Sequence, residues 1–211
     1  KKVGNPNAAG FPYFHVKAFL AHPFSIMRYF CGDITHIQAF MSRPSFRKKH
    51  ADVMVSVNSI PVRFANGAIG YLFSQRGDTT MGMGGWWSVE IGGTNGTVAI
   101  ENCVEEFRFY SAPGTEGAAK PEKLGTGAAP PPEVHNTGVT DFSSTFPRRI
   151  HAFLEDVSNG VPKHELRASG RDALATLEYT FAAIESYEQG GVLVRPYPLP
   201  TLKRTPGSQN K

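Results

Sequence analysis

The sequence has little of what marks secreted, membrane-spanning or zinc-binding proteins. Its 211 residues include only two cysteines, Cys31 and Cys103, and neither belongs to a C-x-x-C motif. They therefore indicate neither a disulfide framework nor a zinc site. No apolar run approaches the roughly 18 residues of a membrane helix, and residues 1–10 do not resemble a secretory signal peptide. We expect a reducing, cytoplasmic setting and no membrane partner.

Long runs of one charge are also missing. The net charge is +4 at pH 7, and the basic residues cluster only in Arg43–His50. Nucleic-acid binders usually carry a longer basic face with stacking aromatic side chains. The short run therefore predicts a solvated loop, and we expect no nucleic-acid partner. Hydrophobic residues make up 40% of the chain and include 15 phenylalanines, which indicates a large packed core.

Helical patterns flank the middle of the chain. The stretch Phe11–Gly32 carries apolar residues on two faces, which predicts a helix buried on most sides. Residues 142–160 carry a single apolar stripe and end at an Asn-Gly pair that suits a helix terminus. The third pattern spans residues 169–191, where Ser169 and Asp172 have the spacing of a capping box.

The central part of the chain has the alternating pattern of β-strands separated by short turns. The predicted strands are residues 34–40, 51–67, 68–75, 86–93, 97–102, 105–112 and, after the last helix, 192–196. Asn66-Gly67 is a strong signal for a tight hairpin. Residues 112–138 are rich in Gly, Pro and Ala and predict a long surface loop. The order indicates one α+β domain over residues 1–211, a mainly antiparallel open-faced sheet with helices packed on one face.

Five blocks of the chain, taken in order, resemble the Gfo/Idh/MocA-type oxidoreductases, the glucose–fructose oxidoreductase and inositol dehydrogenase group. They are HPFSIMRYFCGDI, FANGAIGYLFSQ, WWSVEIGGTNGTVAIEN, FPRRIHAFLEDVSNG and ASGRDALATLEYTFAAIESYEQGGVLV. The resemblance runs from about Phe11 to Val194 and concerns the C-terminal domain of that family. It implies a substrate-binding and oligomerisation domain of an NAD(P)-dependent oxidoreductase acting on a sugar, cyclitol or derivative.

The cofactor implied by the resemblance is NAD or NADP. The family binds it mainly through an N-terminal Rossmann domain with a glycine-rich phosphate turn. No G-x-G-x-x-G follows a predicted strand here, since GMGGWW and GGTNGT both depart from that pattern. We therefore expect the Rossmann domain to be absent from this chain, and the chain alone to bind neither NAD nor NADP.

His22 matches the family's histidine that faces the substrate near the nicotinamide. An imidazole titrates near neutrality and can exchange a proton with a hydroxyl that is being oxidised. The alternative is a packed core histidine with a hydrogen-bonded nitrogen. The family's two carboxylates beside this histidine are replaced by Ala18 and Ser25, which leaves the imidazole less constrained. Lys17 could face the same cleft, or it could belong, with His15, to a solvated helix start.

The glycine-rich loop between Arg76 and Trp87 resembles a family loop that approaches the substrate. Aromatic faces suit sugar rings, so Trp86 and Trp87 are candidate substrate-binding residues, and the side chains of Arg76 and Asp78 could bond hydroxyls. The alternative is a hairpin connection whose tryptophans anchor the core. No pattern indicates a metal site.

Three interpretations of function remain open from the residues. The first is the oxidoreductase domain, and the second is a non-catalytic regulatory or binding member of the same fold, which the missing carboxylates favour. The third is a free-standing scaffold that pairs through its sheet. In each case the strands carry apolar residues on both faces, which predicts a homo-oligomer formed through the open sheet face. The expected interface residues are Met54, Ser56, Tyr71 and Phe109.

Overall fold

A computed structural model describes residues 11–43, 55–75, 88–101, 106–112, 131–139, 142–167 and 169–200. The helices are α1 (Phe14–Phe19), α2 (Ala21–Cys31), α3 (Thr145–Ser158) and α4 (Gly170–Glu188). The strands are β1 (Ile34–Ile37), β2 (Phe40–Ser42), β3 (Val57–Phe64), β4 (Ile69–Gln75), β5 (Val89–Gly93), β6 (Gly96–Glu101), β7 (Glu106–Ser111) and β8 (Glu133–Asn136). None of these helices is both long and apolar enough to cross a membrane.

The chain forms two compact units. The first unit combines residues 1–77 with 162–211, and the second is residues 78–161. The chain leaves the first unit after β4 and returns to it through α4, while the intervening strands β5 to β8 pair only with one another among the described residues. The predicted fold class is confirmed, since helices accompany open sheets whose paired strands are all antiparallel.

The sheet of the first unit is built around β3. Strands β1 and β2 follow one another along one edge of β3, and β4 pairs with the other edge. The hairpin between β3 and β4 confirms the prediction from Asn66-Gly67. Gly67 has a φ of 91°, and the Asn66 side chain accepts a hydrogen bond from the Ala68 N–H at 3.0 Å.

The core of the first unit lies between the inner face of this sheet and the helices. On β3, Ile60, Val62 and Phe64 are buried, and Leu20 and Phe24 are fully buried on the helical side. Helix α4 contributes a face of small and aromatic residues to the same cluster, namely Ala175, Tyr179, Ala182, Ala183 and Ile184. Burial of these apolar side chains is the main stabilising contribution to the unit.

The expected single helix over Phe11–Gly32 is interrupted. Helix α1 ends at Phe19 and α2 begins at Ala21. Pro23 accounts for the break, because a proline ring collides with the carbonyl four residues earlier, here that of Phe19. The expectation of burial on most sides was wrong, because Phe19 and Phe30 are 38% and 50% exposed.

The second unit holds the antiparallel sheet β5-β6-β7-β8 and helix α3. One face of this sheet carries the apolar row Ile91, Val98 and Phe109, which are paired in register. The prediction of a loop throughout residues 112–138 was wrong at its end, because Glu133–Asn136 forms β8 and pairs with β7. Residues 113–130 lie outside the described residues. The predicted last strand is reduced to one bridge between Val194 and Ile37.

Candidate functional site

His22 lies in the first turn of α2 and is exposed. The alternative interpretation, that His22 is a packed core histidine, was therefore wrong. Its position follows from the fully buried neighbours Leu20 and Phe24. Each is two residues away, which is about 200° around a helix, so His22 points away from the core. Pro23 is tolerated beside it because the first N–H groups of a helix have no partner within the helix.

Helices α1 and α2 themselves contain no carboxylate. Ala18 and Ser25, which stand where the resemblance would place aspartates, are both exposed, as is Tyr29 one turn further on. A carboxylate within a few ångströms would favour the charged imidazolium form. His22 therefore lacks that support from its own helix.

Lys17 is exposed on α1, and its Nζ lies 5.6 Å from the centre of the Phe181 ring of α4. This is within the range of a cation–π contact. Phe181 is itself 49% exposed. The lysine thus reaches across to α4 while its ammonium group stays open to solvent.

A buried polar group that the sequence did not indicate lies beneath α1. His15, expected in a solvated helix start, is only 6% exposed, and its Nε2 lies 3.1 Å from Ser74 Oγ of β4. Asn58 of β3 is paired in register with Ser74 and is fully buried, and its side-chain amide has no hydrogen-bond partner among the described residues. The helical spacing of residues could not predict that these side chains are buried, because Ser74, on the strand that covers His15, is 59 residues away in the sequence.

An ionic network joins the end of α2 to the start of α4. Arg28 Nε donates to Asp33 Oδ1 at 2.7 Å, and Arg28 Nη1 also donates to Asp172. Tyr179 OH donates to Asp33 Oδ1 at 3.3 Å and accepts the Ile34 N–H at 3.2 Å. Burial raises the pKa of Tyr179, and the charge of Asp33 adds to the increase against the opposing Ile34 hydrogen bond. The network fixes the exit of α2 against α4.

The predicted capping box of α4 is present. Ser169 Oγ accepts the Asp172 N–H at 3.2 Å, and Asp172 Oδ2 accepts the Ser169 N–H at 2.8 Å. Burial raises the pKa of Asp172, but the hydrogen bonds from Ser169 and Arg28 outweigh it and hold that pKa below its ordinary value. Asp172 is thus structural, in agreement with its sequence spacing.

Solved structures resemble this chain over most of its length. An oxidoreductase from Agrobacterium radiobacter, in complex with NAD+, L-tartaric acid and magnesium, has 18% identity and a TM-score of 0.64 over 92% of this chain and 54% of that chain. Levoglucosan dehydrogenase, in complex with NADH and levoglucosan, has 17% identity and a TM-score of 0.67 over 92% and 54%. A protein assigned as a myo-inositol dehydrogenase from Sinorhizobium meliloti 1021 has 21% identity and a TM-score of 0.59 over 86% and 50%.

The fold is that of the C-terminal domain of the Gfo/Idh/MocA-type oxidoreductases. The chain spans about half the length of the solved structures that it matches. No protein-family model matches it, and no curated protein matches it. The recognition made from the five sequence blocks is thereby confirmed at the level of fold.

The described part of this Gfo/Idh/MocA-type fold contains no pyrophosphate site of the Rossmann kind. A pyrophosphate site of the Rossmann kind needs a parallel β-α-β unit with a helix N-terminus aimed at the phosphates. All strand pairs of the described residues are antiparallel. These residues also contain no group of three or more His, Cys, Asp or Glu that could hold a metal ion.

The remaining sequence-predicted site residues lie outside the described residues. They are Arg76, Asp78, Trp86 and Trp87. Of the predicted site, the structure therefore places His22 and Lys17, and both are exposed side chains at the helical side of the first unit.

Proposed function

We propose that this chain is the substrate-binding and assembly domain of an NAD(P)-dependent oxidoreductase that acts on a sugar, a cyclitol or a derivative. The observation that carries the proposal is the fold, which is shared over about nine-tenths of the chain with oxidoreductases in complex with NAD+ or NADH. Levoglucosan dehydrogenase is bound to levoglucosan in one of its structures and to L-sorbose in another. The cofactor is held mainly by another part of the full-length protein.

In this proposal His22 exchanges a proton with the substrate hydroxyl. Its exposure in the first turn of α2 supports the role, because the imidazole is accessible to a ligand above the helix. Such proton transfer contributes about 10²- to 10⁴-fold to a rate. Lys17, held near Phe181, and the residues Arg76, Asp78, Trp86 and Trp87 of the glycine-rich loop are proposed to bind substrate hydroxyls and ring faces.

The test uses the protein as its gene encodes it, with NAD or NADP and a panel of sugars and cyclitols. Formation of reduced nicotinamide is followed by its absorbance. His22→Ala should lower kcat by about 10²-fold or more with the best substrate. His151→Ala, which removes an exposed histidine of α3, is the matched control and should leave kcat unchanged. Equal rates for wild type and His22→Ala would remove His22 from the reaction.

A second candidate is a non-catalytic sugar-binding or regulatory protein of the same fold. The observation that favours it is the absence of carboxylates at Ala18 and Ser25, beside the exposed His22. This reading expects the full-length protein to bind a sugar in calorimetry while no sugar of the panel is oxidised. Turnover that depends on His22 would reject it.

We propose in addition that two copies of the chain pair through the outer face of the first unit's sheet. This face carries large exposed apolar side chains: Phe40 at 55%, Ile69 at 82%, Tyr71 at 60% and Phe73 at 46% exposure. Strand register places Phe40 and Phe73 on either side of Ser59. Contiguous exposed apolar patches of this kind usually mark a partner surface.

The proposed interface differs from the sequence expectation in its residues. Tyr71 lies on the outer face, but Ser56 is only 4% exposed, so its assignment to the interface was wrong. Met54 lies outside the described residues. Phe109 belongs to the second unit.

Sedimentation equilibrium at micromolar concentration tests the dimer. A two-fold dimer that buries about 1,500 Å² or more should persist at that concentration. Ile69→Lys should give monomers, whereas Tyr29→Lys, at a site 83% exposed on helix α2 and not on the sheet, should not. A wild-type chain that sediments as a monomer would contradict the proposal.

A cytoplasmic setting also stays a prediction, and the free thiol of Cys31 beside the core agrees with it.

A further inference from the structure

A cleft of about 1010 Å³ lies within the first unit, at the end of the sheet where β1 begins and β3 ends. Its walls come from β1, from the β3–β4 hairpin, from the first half of α4 and from residues 195–199. Pockets for small molecules are commonly of this size or somewhat smaller. His22 and Lys17 do not line it, so the cleft is separate from the candidate catalytic position.

Three arginines line the cleft, namely Arg63, Arg171 and Arg195. The Arg63 side chain is exposed and makes no hydrogen bond or ion pair among the described residues. Arg171 donates through Nη1 to the Pro200 carbonyl at 2.6 Å, and Arg195 donates through Nε to His36. Each guanidinium carries five N–H donors, so all three retain donors for a ligand.

A chain of hydrogen bonds links Arg195 to the backbone of Arg63. Arg195 Nε lies 3.0 Å from His36 Nε2 and can only donate, so this nitrogen of His36 is the acceptor. His36 Nδ1 then donates to Thr35 Oγ1 at 3.0 Å, and Thr35 Oγ1 donates to the Arg63 carbonyl at 3.1 Å. Since His36 and Arg63 are also paired in register, the two arginines flank the same histidine.

The charges of the cleft favour an anion. Its lining holds three arginines against the carboxylates Asp33 and Glu178, an excess of one positive charge, and Asp33 is also bound by Arg28, which it shares with Asp172. A positive lining attracts a phosphate monoester, which is close to a dianion at pH 7. Arginine forks suit the paired oxygens of such a group.

The segment that follows Arg195 offers a surface for a ring. Tyr197 is 76% exposed and stands between Pro196 and Pro198, and all three line the cleft. Aromatic and proline faces offer flat apolar surface on which a sugar or base ring can lie. A ligand that joins a phosphate monoester to a ring would use the arginines and this surface at once.

We propose that this cleft binds a small ring-bearing phosphate monoester, with the phosphate against Arg63 and Arg195 and the ring against Tyr197. The proposal does not depend on the oxidoreductase assignment, because none of its residues belongs to the candidate catalytic set. A sugar phosphate and a nucleoside monophosphate are two sources of this chemistry. Glucose 6-phosphate and AMP serve as the probes that distinguish them.

Calorimetric titration of the full 211-residue chain at low ionic strength tests the proposal. At least one ester should bind at submillimolar concentration, and the tighter one identifies the source. Glucose and adenosine, which lack the phosphate, should bind at least tenfold more weakly. Inorganic phosphate, which lacks the ring, should also bind at least tenfold more weakly than the better ester. Raised salt should weaken ester binding, since the contact is ionic.

Variants locate the binding in this cleft. Arg63→Gln and Arg195→Gln should each lower ester affinity at least tenfold, and Tyr197→Ala should lower affinity for the ester but not for inorganic phosphate. Arg148→Gln is the matched control, because Arg148 is an exposed arginine of α3 outside the cleft. Thermal unfolding shows whether each variant remains folded, and Arg63→Gln removes no side-chain hydrogen bond or ion pair among the described residues.

Three results would overturn the proposal. The first is that neither ester binds at millimolar concentration. The second is that glucose or adenosine binds as tightly as its ester, which would remove the phosphate contact. The third is that Arg148→Gln weakens ester binding as much as Arg63→Gln does, which would place the anion elsewhere on the chain.

Discussion

Tyr179 is the single residue that joins most parts of the first unit's polar network. Its hydroxyl accepts the buried Ile34 N–H and donates to Asp33, while its ring, 4% exposed, packs edge-on against Phe24 at 6.0 Å. A buried N–H that loses its acceptor costs more than an average hydrogen bond contributes.

Tyr179→Phe should therefore lower the free energy of unfolding by about 1–3 kcal/mol, because the ring packing remains while the Ile34 N–H is left unpaired. Urea unfolding followed by circular dichroism measures the change. Tyr197→Phe removes an equivalent hydroxyl from a 76% exposed side chain and should change stability by less than about 0.5 kcal/mol. Equal effects of the two changes would contradict this role of the hydroxyl.

Asp172 should make stability depend on pH in the acid range. Its pKa is lowered in the folded state, because hydrogen bonds from Ser169 and Arg28 outweigh the opposing effect of burial. A carboxyl with a lowered folded pKa stabilises the fold above its ordinary pKa of about 4, and that contribution is lost as pH falls through the lowered value. The effect belongs to the ionised side chain alone.

Asp172→Asn should thus destabilise the fold by about 1 kcal/mol or more at pH 7, and the difference from wild type should shrink below about pH 4. Urea unfolding at a series of pH values gives this difference directly. Glu90→Gln, a change at an exposed carboxylate of β5, should show no such pH dependence. A difference that stays constant down to pH 2 would show that the charge of Asp172 is unimportant.

At the scale of elements, the β5–β6 hairpin requires glycine at one position and tolerates a side chain at another. Gly96 has a φ of 149°, and a Cβ there would lie 2.2 Å from the Tyr110 carbonyl oxygen. Gly92 of the same hairpin has no atom closer than 3.9 Å to an added Cβ. The carbonyl cannot yield easily, because β7 is paired to β6 along its length.

Gly96→Ala should accordingly lower the free energy of unfolding by about 3 kcal/mol or more, since it combines an unfavourable backbone conformation with overpacking. Gly92→Ala should change it by less than about 0.5 kcal/mol. Thermal and urea unfolding of the two variants are the measurement. A Gly96→Ala variant as stable as wild type would mean that β6 and β7 separate freely at this point.

Sequence patterns predicted the existence of helices, strands and turns better than the residues at which they begin and end. The capping box of Ser169 and Asp172 and the Asn66-Gly67 hairpin both depend on residues within four positions of one another, and both are confirmed. The strand β8 was missed because its pairing partner β7 is separated from it by the Gly- and Pro-rich segment, so no local pattern distinguishes it from loop. The reduction of residues 192–196 to one bridge likewise depends on a distant partner, Ile37.

At the scale of the whole molecule, this chain should not bind NADH by itself. The described strands are all antiparallel and offer no parallel β-α-β phosphate site. Each phosphate of the NADH pyrophosphate has one ester bond and one anhydride bond and carries a single negative charge, unlike the monoester proposed for the cleft. Fluorescence titration of the 211-residue chain should show no binding at micromolar NADH, and a micromolar dissociation constant would contradict the assignment of the cofactor to another domain.

The sequence by itself determined the fold class, the family resemblance, the helix cap and the hairpin turn, because each depends on short spacings or on the order of blocks along the chain. Only the tertiary structure decided that His22 is exposed while His15 is buried, and that Ser56 faces inward. It alone also brought Arg63, Arg171 and Arg195 to one cleft across more than 100 residues of chain. The physical reason is that burial and charge clustering depend on which distant element covers a residue, and spacing within one element carries no information about that partner.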